Sequence, residues 1–264
     1  MKLGCCFGVG DFNAMCIAKR AGLEFAEFAL YQFDKLENEK IIELKGRLDE
    51  IGMSSPAVNC FFVGSHRLTG PEVDYAAIDE YIDRLLEKTA PLGFKHITFG
   101  SGGARRVPDG FSKEAALEQL AVLCRDHIAP AMRKYDMICG VEELFTPACN
   151  ILNSVRETTA LVRAVNDDRI RLLVDIFHMG KENEDFGAIR EASGLISHVH
   201  ISSPKLDGEF PRADDDEDYA GFFGALRDAG YPEDGLVSIE GHANKEDGFE
   251  VSVKRSAECL KNYL

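Results

Sequence analysis

The chain has 264 residues, of which 45% are hydrophobic, which is enough for one large domain with a sizeable core. Its formal net charge of −15 argues against a nucleic-acid partner, because a protein that binds a phosphate backbone needs a basic surface. No apolar run approaches the roughly 20 residues required to span a bilayer, so we expect no membrane association.

The cysteines and the N-terminus indicate where the protein resides. The eight cysteines are scattered, and none forms a Cys-x-x-Cys pair. Several lie in apolar, strand-like runs, where a free cysteine behaves as a small hydrophobic residue. The first residues do not have the layout of a signal peptide. Together these features predict a reduced, cytoplasmic protein rather than a disulfide-bonded domain or a zinc finger.

Short apolar runs alternate with longer amphipathic segments along the whole chain. The predicted strands are residues 3–7, 25–30, 56–62, 94–99, 137–141, 170–174, 195–201 and 235–239. The predicted helices that follow them are residues 8–20, 35–51, 71–89, 113–134, 152–165, 184–192, 219–229 and 245–260. Pro71 is placed in the first turn of its helix, a position that favours proline.

Eight strand–helix units predict a parallel sheet covered by helices. The 264 residues give 33 per unit, and no linker or low-complexity segment separates the units. We therefore predict that residues 1–264 form one α/β domain, a (β/α)8 TIM barrel, rather than an open doubly wound sheet. In such barrels the active site lies at the C-terminal ends of the strands.

The sixth predicted strand ends in the sequence Val174-Asp175-Ile176-Phe177-His178. Packing gives no reason for a carboxylate at the end of a buried strand, so Asp175 indicates a cation or a reacting group. The other explanation is that Asp175 caps the next helix while His178 lies at the surface.

Four consecutive predicted strands, the fifth to the eighth, end in residues with ligand-type side chains. These residues are Glu142, Asp175, His200 and Glu240, at intervals of 33, 25 and 40 residues. Alternation of side chains along a strand turns all four inward and turns Glu143 outward. The same alternation places His198 one layer deeper, as a hydrogen-bonded core residue.

Three converging carboxylates would repel one another without a cation. We therefore predict one divalent metal ion at this rim. Three oxygen ligands and one imidazole suit Mn²⁺ or Mg²⁺, while Co²⁺, Zn²⁺ and Fe²⁺ remain open.

Four segments carry a resemblance to a known family: Val141-Glu-Glu-Leu144, Leu173-Val-Asp-Ile-Phe-His-Met179, His198-Val-His-Ile201 and Val237-Ser-Ile-Glu240. The chain resembles the xylose-isomerase-like barrel superfamily, in particular its sugar isomerase and epimerase branch. That branch includes ketose 3-epimerases, hydroxypyruvate isomerases and inosose dehydratases. Barrels of this family often pair through their helices, so the resemblance implies a homodimer or a homotetramer.

The resemblance also implies roles for individual residues. Glu142, Asp175, His200 and Glu240 would bind the metal ion. Glu142 and Glu240 would also form the catalytic acid/base pair on opposite faces of the substrate, and His178 would bind a substrate oxygen.

Two positions depart from the ketose epimerase pattern. Those enzymes have a further Glu six residues after the strand-five ligand and an Arg six residues after the strand-seven His, where this chain has Ala148 and Leu206. Lys205 or Arg212, in the following loop, could supply the missing positive charge.

The loop after the fourth strand reads Gly100-Ser-Gly-Gly-Ala-Arg105-Arg106. Its glycines would let backbone N–H groups approach an anion, which Arg105 would also bind, and the family branch has a similar segment. The alternative is a flexible loop with solvent-facing arginines. Asn59 and Glu27, near the ends of the third and second strands, would be either hydrogen-bonding residues at the rim or structural residues, and of the two only Asn59 is predicted to bind substrate.

These features predict a metal-dependent isomerase or epimerase of a small sugar, sugar phosphate or hydroxy-keto acid, with proton transfer through an enediolate. The closest alternative is a sugar or inosose dehydratase, which would expel a β-hydroxyl group. A binding protein without catalysis would not need both Glu142 and Glu240. The remote alternative is an apurinic-site endonuclease, but its trinuclear site requires further histidines that the strand-three end, Asn59-Cys-Phe61, does not provide.

Overall fold

A computed structural model describes all residues, 1–264. Eight parallel strands close into one barrel in sequence order, with the eighth paired to the first. The strands are β1 (Lys2–Phe7), β2 (Phe25–Ala29), β3 (Ser54–Asn59), β4 (His96–Phe99), β5 (Ile138–Glu142), β6 (Ile170–Asp175), β7 (Ile196–Ile201) and β8 (Leu236–Ile239). The predicted (β/α)8 fold is therefore confirmed.

Helices connect successive strands. The α-helices are Phe12–Arg20, Asn38–Glu50, Tyr75–Thr89, Gly102–Arg105, Lys113–Val122, Ala129–Lys134, Val155–Val165, Ile176–Lys181, Gly187–Glu191, Tyr219–Asp228 and Gly248–Leu260. Leu30–Phe33 and Ala90–Leu92 are 3-10 turns. Buried strand residues such as Phe28, Val141, Val174 and Ile239 belong to a single large hydrophobic core.

Several helices begin later than predicted, and in two of them a side chain that caps the N-terminus sets the boundary. The Asp74 carboxylate accepts a hydrogen bond from the Ala77 N–H at 3.1 Å, so that helix begins at Tyr75 and Pro71 lies outside it. The Ser154 hydroxyl accepts a hydrogen bond from the Glu157 N–H at 3.1 Å, so the helix that follows β5 begins at Val155. An N-cap residue is non-helical, which fixes both boundaries.

One predicted helix is interrupted in the structure, and another is shorter than predicted. The segment predicted as one helix over residues 113–134 contains a π-helical stretch, Leu123–Ile128, just before Pro130. Proline has no N–H to donate to the carbonyl four residues earlier, so the α-helical pattern is interrupted there. The helix predicted at 184–192 is the shorter Gly187–Glu191, and the unpredicted helix Ile176–Lys181 precedes it.

None of the helices combines the length and the apolar composition required to cross a membrane. All eight cysteines are free thiols, so the barrel is held together without disulfide bonds.

Candidate active site

A cavity of about 590 Å³ opens at the C-terminal ends of the strands. Its lining includes Asn59 at the end of β3, Gly100 after β4, Glu142 on β5, Asp175 on β6 and Glu240 after β8. This is the end of the barrel at which the sequence predicts the site.

The structure brings the four predicted metal ligands together at this end. One ligand atom from each of Glu142, Asp175, His200 and Glu240 lies within 4.8 Å of the others. The Nδ1 atom of His200 is 3.1 Å from Oε1 of Glu142 and 2.7 Å from Oε2 of Glu240. The β6–β7 register places Asp175 directly beside His200.

The two explanations considered for Asp175 are compatible. Its Oδ1 atom accepts a hydrogen bond from the Phe177 N–H at 2.8 Å and caps the helix Ile176–Lys181. Its Oδ2 atom lies 3.6 Å from Nε2 of His178, at the cavity. The carboxylate therefore both starts a helix and belongs to the ligand cluster.

The four side chains strongly affect each other's ionisation. Burial, reinforced by neighbouring carboxylates, raises the pKa of Glu142 and raises the pKa of Asp175 well above its ordinary value. Burial also acts to raise the pKa of Glu240, but the charge and hydrogen bond of His200 outweigh it and hold that pKa below the ordinary value. Burial alone would lower the pKa of His200, whereas Glu240, Glu27 and Glu142 raise it well above normal.

In this cluster the positive charge comes from a protonated imidazole surrounded by acidic side chains. A divalent cation would satisfy the same carboxylates, and three oxygen donors with one imidazole nitrogen suit such an ion. The donor set therefore fits a metal ion.

His178 lines the cavity in its neutral form. Burial lowers the pKa of His178 to about 4, so its approach to Asp175 is not an ion pair near neutral pH. Its Nδ1 atom accepts a hydrogen bond from the Phe145 N–H at 3.4 Å, and its ring stacks on the Phe145 ring. The remaining nitrogen, Nε2, therefore carries the hydrogen and can donate it to a substrate oxygen.

Asn59 contacts one of the predicted catalytic glutamates. Its Nδ2 atom donates to Oε1 of Glu240 at 2.9 Å and lies 3.3 Å from the Cys6 sulfur. Asn59 also lines the cavity, so its predicted contact with substrate stays a prediction, and its position against Glu240 is the additional finding.

Arg105 does not lie in the cavity. Its side chain is completely buried, and it donates to the carbonyl oxygens of Phe99 at 3.1 Å and Leu152 at 3.4 Å. The short helix Gly102–Arg105 turns this side chain into the core behind β4. The substrate-binding role predicted for Arg105 does not fit this position, and neither does the alternative of a solvent-facing arginine.

The glycines of the same loop are required by close packing. A Cβ atom on Gly100 would overlap Oε2 of Glu142, and one on Gly102 would lie 2.8 Å from the Ala148 carbonyl oxygen. Gly103 faces the backbone of Gly64. These glycines therefore make room for neighbouring protein atoms, which the sequence could not distinguish from room for an anion.

Lys205 and Arg212 do not supply positive charge to the cavity. Lys205 donates to the Asp216 carbonyl oxygen, and Arg212 pairs with Glu209 at 3.6 Å and Asp214 at 3.3 Å. The suggestion that either one replaces the missing arginine is wrong. No lysine or arginine lines the cavity.

From the sequence, Glu27 was predicted to have only a general hydrogen-bonding role. In the structure, Glu27 is fully buried and contacts Nε2 of His200 at 3.0 Å and Nε2 of His198 at 2.8 Å. His198 is a buried, hydrogen-bonded residue, as predicted, with Nδ1 3.1 Å from the Leu236 carbonyl oxygen. The available signal was an acidic residue at an inward-facing position of an apolar strand.

The arrangement does not match the endonuclease alternative. Two groups of residues could hold a metal ion, and both use His200. The second group, Cys6 with Glu27 and His200, is therefore not an independent site. The residues present therefore offer one metal site, whereas the endonuclease alternative requires three metal ions.

Comparison with curated proteins finds partial matches to sugar epimerases. The chain is 38% identical over 89 residues to L-ribulose 3-epimerase from Mesorhizobium japonicum, covering 32% of this chain and 28% of that one. It is 26% identical over 188 residues to a probable ketose 3-epimerase from Synechocystis, covering 69% and 63%. Each match therefore spans less than two thirds of the curated relative.

A solved structure shares the whole fold. D-psicose 3-epimerase from Clostridium cellulolyticum H10, determined with D-tagatose, superimposes with a TM-score of 0.81 at 20% identity, covering 100% of this chain and 98% of that one. The family model for the xylose isomerase-like TIM barrel matches residues 17–263. The family indicated by the sequence is thus confirmed, and the chain belongs to the xylose isomerase-like TIM barrels.

Proposed function

We propose that this chain is a divalent-metal-dependent isomerase or epimerase of a small, uncharged sugar, acting by proton transfer through an enediolate. The observation that carries the proposal is the convergence of Glu142 and Glu240 on the same ligand atom, Nδ1 of His200, beside Asp175. The names of the relatives, which are ketose epimerases, support the sugar as substrate.

Glu142 and Glu240 supply the two proton-transfer groups. They come from β5 and from the end of β8, on either side of β6 and β7 in the barrel. One carboxylate removes the proton next to the substrate carbonyl, and the other returns a proton. Asn59 fixes Oε1 of Glu240, and the neutral His178 donates a hydrogen bond to a substrate oxygen. A divalent ion held by Glu142, Asp175, His200 and Glu240 would add the positive charge that makes the substrate proton acidic.

The charge of the lining favours an uncharged sugar over a sugar phosphate. Four carboxylates line the cavity, those of Glu142, Asp175, Asp207 and Glu240, and no lysine or arginine accompanies them. The nearby cation Lys181 is already 2.8 Å from Asp207. A phosphate group would leave water without gaining a cationic partner from this chain, which is costly.

The test is solvent exchange with a panel of ketoses. The protein, loaded with Mn²⁺, is incubated with ketopentoses and ketohexoses in D₂O, and the products are separated and analysed by NMR. We expect an isomer or epimer that carries deuterium at the carbon whose proton was removed. Chelator-treated protein is the matched control and should be inactive. Product without deuterium, even at long times, would favour a hydride shift, and loss of water from the sugar would favour the dehydratase.

A further inference from the structure

We propose that Glu27 is a positioning residue, a buried carboxylate that holds His200 in the orientation and tautomer required for metal binding. This inference rests on the proposed metal site and extends it by a residue on the opposite side of the barrel. Glu27 acts through His200 and touches none of the other three proposed ligands.

The geometry places Glu27 inside the barrel, behind the ligand cluster. It lies on β2, with Cys6 of β1 and Ala57 of β3 as its strand neighbours. Its side chain is completely buried, and Oε1 lies 3.0 Å from Nε2 of His200. The Cys6 sulfur lies within 4.8 Å of ligand atoms of Glu27 and His200. No lysine or arginine pairs with Glu27.

The contact determines which nitrogen of His200 is free to bind a cation. An ionised carboxylate only accepts hydrogen bonds, so Nε2 of His200 must carry the hydrogen that faces Glu27. When a metal ion replaces the second proton of His200, the nitrogen with the free lone pair is therefore Nδ1, and Nδ1 is the atom that faces Glu142 and Glu240. Ligand histidines commonly donate their second N–H to such a carboxylate.

Glu27 is itself held in place by two further donors. The Ser238 hydroxyl donates to Oε2 at 2.5 Å, and Nε2 of His198 contacts the same oxygen at 2.8 Å. His198, His200 and Ser238 are all fully buried, so these contacts are shielded from bulk solvent. One carboxylate oxygen of Glu27 therefore contacts His200, while hydrogen bonds to the other oxygen hold Glu27 in place. This arrangement allows Glu27 to orient His200.

The first test measures metal affinity. Mn²⁺ binding to the full-length wild type and to Glu27→Gln is determined by competition with a chromophoric chelator. We expect the variant to bind Mn²⁺ about 10- to 100-fold more weakly, the usual effect of losing such a partner. Its thermal unfolding and circular dichroism should match wild type, which separates a loss of metal affinity from a general loss of structure. Glu143→Gln, which removes another fully buried carboxyl group that does not contact His200, is the matched control and should bind Mn²⁺ like wild type.

A second measurement needs no variant, in case Glu27→Gln does not fold. Wild-type protein with ¹⁵N-labelled histidine is titrated with Zn²⁺ and followed by NMR. We expect one histidine to bind through Nδ1 while its Nε2 keeps a proton. Unchanged Mn²⁺ affinity in folded Glu27→Gln, or Zn²⁺ binding through Nε2, would overturn the role of Glu27. Absence of any metal binding by the wild type would instead overturn the proposed function.

Discussion

The Glu142 carboxylate occupies the space that a side chain on Gly100 would need. A methyl group there would overlap Oε2 of Glu142, one of the proposed ligands and proton-transfer groups. The atom displaced would be the end of a flexible side chain, so the backbone can stay in place. A larger residue at position 100 should therefore displace the Glu142 carboxylate while leaving the stability of the fold nearly unchanged.

Gly100→Ala should fold but function poorly. We expect kcat/KM to fall about 100-fold, since a displacement of about 1 Å in a catalytic group can cost that much. Thermal unfolding should change little. Gly46→Ala is the matched control, because nothing lies within 4 Å of its added Cβ and it sits in the helix Asn38–Glu50. That control should keep full activity and gain about 0.5–1 kcal/mol of stability. Normal activity in Gly100→Ala would show that Glu142 can move without loss.

Glu240→Gln should remove turnover while the protein stays folded. The residue lies at the cavity mouth and is only partly buried, so it supports little of the core. Loss of a general acid or base lowers kcat by about 10²- to 10⁴-fold. Some metal affinity should remain, because an amide oxygen is a weaker but usable ligand. Glu246→Gln, on the exposed surface nearby, is the control. A near-normal kcat in Glu240→Gln would mean that Glu240 is a ligand only.

Comparing Asp175→Asn with Glu143→Gln tests whether Asp175, which faces the inside of the barrel, binds the metal ion while Glu143 does not. Asp175 belongs to the ligand cluster, whereas Glu143 accepts the Asp175 backbone N–H at 2.8 Å from outside that cluster. Burial raises the pKa of Glu143 well above its ordinary value, which favours the neutral form, and Gln keeps the shape of that form and an oxygen that can accept the Asp175 N–H.

We expect Asp175→Asn to weaken Mn²⁺ binding more than about 100-fold, beyond the usual effect of losing an outer hydrogen-bond partner. Glu143→Gln should leave the affinity close to wild type. Chelator competition followed by elemental analysis measures both. Equal losses in the two variants would contradict the assignment of Asp175 as a ligand.

The substrate should be uncharged at the end remote from the reacting carbons. For a ketose that is turned over, its terminal phosphate ester should react with a kcat/KM more than about tenfold lower, equivalent to about 1.4 kcal/mol. The reason is the absence of lysine and arginine from a cavity lined by four carboxylates. Steady-state kinetics on the matched pair measures this ratio. A preference for the phosphate ester would show that a cation from outside the present lining reaches the substrate.

Cys60 should react slowly with alkylating reagents although it lines the cavity. Burial, with Glu240 and Glu142 nearby, raises the pKa of Cys60 to about 12. The thiolate is the reactive form, and a raised pKa leaves less of it at any pH below 12. The labelling rate should therefore rise about tenfold for each pH unit between pH 7 and 9, as measured by peptide mass spectrometry. A plateau near pH 8.5 would indicate the pKa of an ordinary thiol.

Much of this protein was determined by local sequence pattern. Short apolar runs at regular spacing predicted eight strands, and strand alternation predicted that Glu142, Asp175, His200 and Glu240 face one another while Glu143 does not. Parallel strands bring their C-terminal ends to one edge, so residues far apart in sequence converge without any knowledge of loops. Helix boundaries were predicted less accurately, and two of them are set by capping side chains, those of Asp74 and Ser154.

Only the tertiary structure decided where side chains point when their direction depends on packing. The short helix Gly102–Arg105 turns Arg105 away from the cavity, and the space beside Gly100 belongs to Glu142 rather than to an anion. Glu27 gained its partners from β7 and β8, on distant parts of the chain. A strand has a fixed two-residue period, whereas a loop side chain points where its neighbours leave room. For that reason the sequence located the rim of the site, and the fold decided what supports it and which charges reach it.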